Sequence, residues 1–158
     1  MSMSIKIEFR YAILTSLCTL LWLILEYTVG LHDTYIAWHP YVTMLAIIIP
    51  IITYRLALIE KLEEKGKLSF KDAFISGLIM TIFATVLAIP IQLIFHKVIN
   101  PDFFANMINY AVTHGKETLE QAAQYFNLKT YLIESTLGTL LIGIIISLIL
   151  AFRMRTVK

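Results

Sequence analysis

The sequence predicts an all-α fold: a four-transmembrane-helix bundle with an amphipathic helical hairpin between helices 3 and 4. Three observations predict it. Of 158 residues, 58% are hydrophobic and only 15% charged, against about 45–50% and 25% in soluble domains. The apolar residues gather in four windows, at about 11–29, 41–59, 73–95 and 131–152. Each is close to the roughly 20 residues that cross a hydrocarbon core of about 30 Å at 1.5 Å per residue. The windows are apolar on every side, whereas a barrel strand crosses in about 10 residues with period-two alternation. Residues 1–158 read as one membrane domain.

The basic residues set the expected orientation. Lys6 and Arg10 precede the first window, Arg55, Lys61, Lys65, Lys67 and Lys71 sit at the junction of the second and third, and Arg153, Arg155 and Lys158 follow the fourth. The opposite side receives Lys97, Lys116 and Lys129. Basic residues near span ends stay cytoplasmic, so both termini and the short middle loop are expected inside, and the segment between the third and fourth spans outside.

Taken in order, the first span should be a retained anchor, since it ends in Glu26-Tyr27 without a small-x-small cleavage site. Cys18, the single cysteine, can form no intramolecular disulfide and reads as a packing residue. "EYTVGLHDTYIAWHPY" is then a loop without Lys or Arg, with Trp38 and Tyr41 suited to the interface. Pro40 fits a first helical turn, and Pro50, in mid-window, should kink the second helix. Gly66 is a C-cap candidate and Ser69 an N-cap candidate around the charged inner loop.

Small residues recur every four positions on the last two spans: Ala73, Gly77, Thr81 and Thr85 on the third, and Ser135, Thr139, Gly143, Ser147 and Ala151 on the fourth. Helix association in lipid relies on close backbone approach over such residues. Gly77, Thr81, Thr139, Gly143 and Ser147 are therefore the expected packing positions, either within the chain or between copies.

The stretch "HKVINPDFFANMINY" marks the exit from the third span. Asn100 suits an N-cap, Pro101 the first turn, and Asp102 the positive end of a helix. Phe103, Phe104, Met107 and Ile108 then recur on one face, which predicts an amphipathic helix lying against the outer membrane face or its own bundle, with these four residues as a contact surface for lipid or a partner. Gly115 interrupts this helix, and Leu119, Ala122, Ala123 and Phe126 supply a second stripe. The insert, at about 100–127, should be an ordered hairpin.

The strings "VINPDFF", "LSFKDAFISGL", "GKETLEQAAQYF" and "LGTLLIGIIISLILAF" resemble an uncharacterised family of small four-span bacterial membrane proteins, known as a domain of unknown function. The likeness covers essentially the whole chain and is sharpest at Ile99-Asn100-Pro101-Asp102-Phe103. It implies a bacterial inner-membrane location and this helix count, and it brings no site residues.

Ionisable groups near membrane depth are the default functional candidates. Here they are Glu26, His39, His96 and Glu134, with His32, Asp33 and Asp102 nearby, all toward the outer ends of spans. Carboxylates and imidazoles at one level could hold a divalent metal or relay protons. No His-x-x-His or Glu-x-x-His spacing supports a metal site, so the sequence favours solvated interfacial groups and implies no cofactor. Enzyme signatures are missing: there is no Gly-x-Ser-x-Gly, no phosphate-binding glycine loop and no His-Glu-x-x-His. A net charge of +2 gives no reason to expect nucleic acid. The expected role is a non-enzymatic accessory or partner-binding membrane subunit, working with the lipid bilayer and with a second copy or another membrane protein. The alternatives are a small homo-oligomeric channel or transporter and a metal- or proton-binding membrane protein.

Overall fold

The computed structural model describes residues 5–156; Lys158, counted above as a flanking charge, lies outside them. Every regular element among the described residues is a helix. α1 (Lys6–Thr28) ends where Gly30 takes a φ of 80°. There the amide of Leu31 donates to the carbonyl of Glu26 at 2.9 Å and that of Gly30 to Tyr27 at 3.1 Å, the paired bonds of a Schellman turn. The second span is composite: a 3-10 turn at Ile36–Trp38, α2 (His39–Val42), a further 3-10 stretch at Thr43–Ile47, then α3 (Ile48–Lys65). α4 (Phe70–Ile94) runs on through a π turn at Phe95–Ile99. The insert forms α5 (Phe103–Thr113) and α6 (Leu119–Tyr125), and α7 (Leu128–Met154) closes the chain.

Lys6–Thr28, Ile36–Lys65, Phe70–Ile99 and Leu128–Met154 are long and apolar enough to cross a membrane, so this is a multi-pass membrane protein. The surface agrees: Leu21, Leu141 and Phe152 are more than 60% exposed, and a continuous apolar surface of that kind is stable only in a lipid solvent.

The capping chemistry accounts for most boundaries. Gly66 ends α3 at φ 69°, its amide bonded to the Leu62 carbonyl at 2.8 Å. Ser69 caps α4 by accepting from the Asp72 amide, and Asn127 caps α7 by accepting from the Thr130 amide. Pro50 departs from expectation. It sits in the first turn of α3, where its missing N–H breaks no bond, so the span changes winding through the 3-10 stretch before it rather than kinking at mid-helix.

α4 is the central helix and packs against α7 and α1, and α1 also meets α3. The two small-residue stripes meet each other within the chain. A Cβ placed on Gly77 would sit 2.6 Å from the Ser147 Cβ, and one on Gly143 would sit 3.0 Å from the Thr81 Cβ. Only glycine leaves room for that approach. Thr81 donates to the Gly77 carbonyl at 2.8 Å and accepts from the Tyr54 hydroxyl at 3.2 Å, joining α3 to the same seam. Thr139 is half-buried and lines a lateral cavity facing α1 and the second span.

At the end of the bundle that carries both termini, Lys61 donates to the Glu8 carboxylate, and Ser76 donates to the same oxygen at 2.6 Å. All three are buried. Lys61, read from the sequence as a loop charge, therefore lies inside α3, and the loop shrinks to residues 66–69. Beyond α7, the Thr156 amide donates to the Leu68 carbonyl at 2.8 Å, tying the chain end to that loop.

Candidate metal centre

The opposite end of the bundle, under the insert, holds a second buried polar cluster. Glu26 lies in the last turns of α1 and is fully buried. One carboxylate oxygen accepts from the Trp22 indole N–H at 2.6 Å. The other faces two imidazoles, with Nε2 of His32 at 3.4 Å and Nε2 of His39 at 3.8 Å. The Schellman turn after α1 carries His32 back beside the helix it has just left, and the first residue of α2 delivers His39. One ligand atom each from Glu26, His32 and His39 all lie within 4.8 Å of one another.

Separate contacts hold His32. The amide nitrogen of Asn100 donates to His32 Nδ1 at 2.9 Å, and Asn106 donates to the His32 carbonyl at 3.0 Å. With Nδ1 accepting, the ring proton sits on Nε2, toward Glu26. If the Asn100 amide rotates, Oδ1 accepts from Nδ1–H instead, and the Nε2 lone pair becomes free for a cation. The ring of Phe103 packs 4.9 Å from His32, 5.4 Å from His39 and 4.9 Å from His96.

The spacing is loose for an ion pair and close to that between the donors of a shared metal ion. A charge-assisted N–H to carboxylate bond is about 2.7–2.9 Å long, and neither histidine comes that close. Donors held about 2.0–2.2 Å from a tetrahedral zinc lie roughly 3.4 Å apart, which is the spacing seen between Glu26 and His32. Among the described residues, the only basic side chains with a nitrogen within 4 Å of the Glu26 carboxylate are these two histidines. A buried carboxylate without a cation carries a large desolvation penalty, and a divalent ion would offset it.

The predicted site residues separate. Glu26 and His39 converge, and they do so with His32, which the sequence placed only nearby. His96 lies on the π turn of α4, behind Phe103, with both ring nitrogens buried and without hydrogen-bond partners. Glu134 stays outside the triad. It accepts from the Tyr125 hydroxyl at 3.3 Å, at a cavity of about 150 Å³ whose wall includes His39, Phe103, Phe104 and Tyr131. Partial desolvation and the neighbouring Glu134 carboxylate push the Tyr125 phenol up, so its hydroxyl keeps the proton it donates.

The insert differs from its sequence reading. Asn100 does not cap α5: its side chain goes to His32, and Asp102 precedes the helix without a side-chain cap bond. Phe103, expected on a contact surface for lipid or a partner, is 2% exposed and turned into the bundle, because burial against three imidazoles and Tyr131 removes more of the ring from solvent than an open face can. Phe104, Met107 and Ile108 are half-buried, while Pro101 and Asp102 are exposed. The Thr118–Gln121 capping box that starts α6 was legible as Thr-x-x-Gln but went unread, as did the Gly30 signal that reverses the chain at His32.

A family model described as "Protein of unknown function (DUF4199)" matches residues 10–156. The chain belongs to this family. No curated protein and no solved structure matches the chain. The family match spans the four helices, the insert and all three residues of the cluster.

Proposed function

We propose that this member of the family binds a divalent transition-metal ion, of the zinc type, through Glu26, His32 and His39. The observation that carries the reading is the triad itself: three buried donors within 4.8 Å of one another, with spacings too long for tight ion pairs and suited to a shared ion. Two imidazoles and one carboxylate match the donor set zinc accepts, with a fourth position left for water or another ligand. Asn100 would serve as the outer partner that orients His32. The part of the earlier expectation that placed Phe103 on a partner-docking surface loses its main residue.

In this reading the protein is a bacterial inner-membrane protein with both termini cytoplasmic and the metal centre on the outer side. Nine of the twelve described Lys and Arg residues fall at the termini end, which supports that orientation. Elemental analysis of protein purified in metal-free buffer, then equilibrated with Zn2+ and desalted, should find about one zinc per chain. Glu26→Gln, His32→Ala and His39→Ala should each abolish it. Wild-type protein that retains no zinc overturns the proposal.

A further inference from the structure

Glu26 is fully buried and His32 is 1% exposed, whereas His39 is 7% exposed and forms part of the wall of the 150 Å³ cavity. Of the three donors, His39 alone belongs to that wall. Elsewhere the cavity is bounded by Phe103, Phe104 and Tyr131, and Glu134 is its single carboxylate. Glu134 is exposed and held by the Tyr125 hydroxyl at 3.3 Å. We infer that this cavity is the route by which a divalent cation reaches the triad, with Glu134 capturing the ion at the mouth and His39 receiving it inside. The inference rests on the metal reading of Glu26, His32 and His39.

Three physical arguments carry it. A cation that leaves water for a low-dielectric wall carries a large solvation penalty, so entry needs a polar or π-rich path. This cavity presents the aromatic faces of Phe103, Phe104 and Tyr131, which attract cations. A fixed carboxylate at a concave mouth raises the local cation concentration and speeds capture. His96 strengthens the case from a separate observation. Its ring nitrogens are buried and unpartnered, and the ring packs 4.8 Å from Tyr131 and 4.9 Å from Phe104, two walls of the same cavity. An unpartnered imidazole there is a transient donor for an ion in passage.

The test is stopped-flow Co2+ loading of the metal-free full-length protein in detergent micelles, followed by the cobalt absorption band. Glu134→Gln should slow loading about tenfold at low ionic strength and slow release equally, so that Kd and the Co2+ bound per chain stay unchanged. Added salt should shrink the difference from wild type, because screening weakens capture by the carboxylate. His96→Ala should slow loading in the same manner. Two variants loading at the wild-type rate would overturn the route while leaving the triad intact. A loss of bound Co2+ in Glu134→Gln would make Glu134 a ligand and overturn its capture role. A wild-type protein that binds no Co2+ would overturn both the triad and the route.

Discussion

The side-chain amide of Asn100 lies 2.9 Å from Nδ1 of His32, so the residue that ends the third span fixes the ring that follows the first. The contact joins positions 68 residues apart, and both partners are buried. Replacing Asn100 with Ala leaves that nitrogen without a partner and the ring free to turn. Zinc affinity should fall about 10–100-fold, and the metal-free protein should lose about 1–3 kcal/mol of stability. Competition titration with a chelator and thermal unfolding in detergent measure the two effects separately.

Acid should release the metal. Both imidazoles must be unprotonated to coordinate, so protons compete with the ion, and zinc affinity should drop as the pH is lowered. The sign is fixed by the donors: binding weakens toward acid. Equilibrium dialysis at stepped pH checks it, and a flat profile would argue against histidine ligands.

The seam between α4 and α7 makes a steric prediction. Gly143→Ala drives a methyl group into Thr81, whose Cβ lies only 3.0 Å from the added atom. Overpacking of this kind costs about 1–3 kcal/mol, and the melting temperature should fall accordingly. Adding Thr81→Ala should recover part of the loss, which a double-mutant cycle reads directly.

The buried Glu8 and Lys61 pair predicts an asymmetry. Lys61→Met alone leaves a buried carboxylate with only Ser76 beside it, at a cost of about 3–5 kcal/mol. The double variant Glu8→Gln with Lys61→Met should be markedly more stable than Lys61→Met alone. Unfolding midpoints in a denaturing-detergent titration give the comparison.

The proposed orientation is checked by labelling. In a Cys18→Ser background, Asn109→Cys, on the exposed side of α5, should react with an impermeant maleimide added to intact cells. Reaction only after permeabilisation would invert the topology.

The spans were legible because lipid demands long apolar windows, and the caps at Gly66 and Ser69 because each has a short-range chemical cause. The seam was legible for the same reason: Gly77 and Gly143 sit in stripes of small residues spaced four apart, the pattern that close helix packing in lipid uses. The polar centre was harder to read. Glu26, His32 and His39 are spaced six and seven residues apart, which fits no single-helix ligand pattern, and they meet only because Gly30 reverses the chain and the second span begins with a 3-10 turn. Phe103 misled because periodicity shows that α5 has an apolar face without showing whether that face turns toward the bundle or away from it. Lys61 misled for a related reason. Its partner Glu8 lies 53 positions away, beyond the reach of local pattern.

All three proposed ligands fall within the 14 residues from Glu26 to His39, ahead of α3, α4 and α7. The donor set is therefore complete once the first hairpin has emerged during synthesis, and an ion captured then would pin the first two spans together before the rest of the bundle exists. Asn100 and Phe103 arrive later and close over a centre already in place.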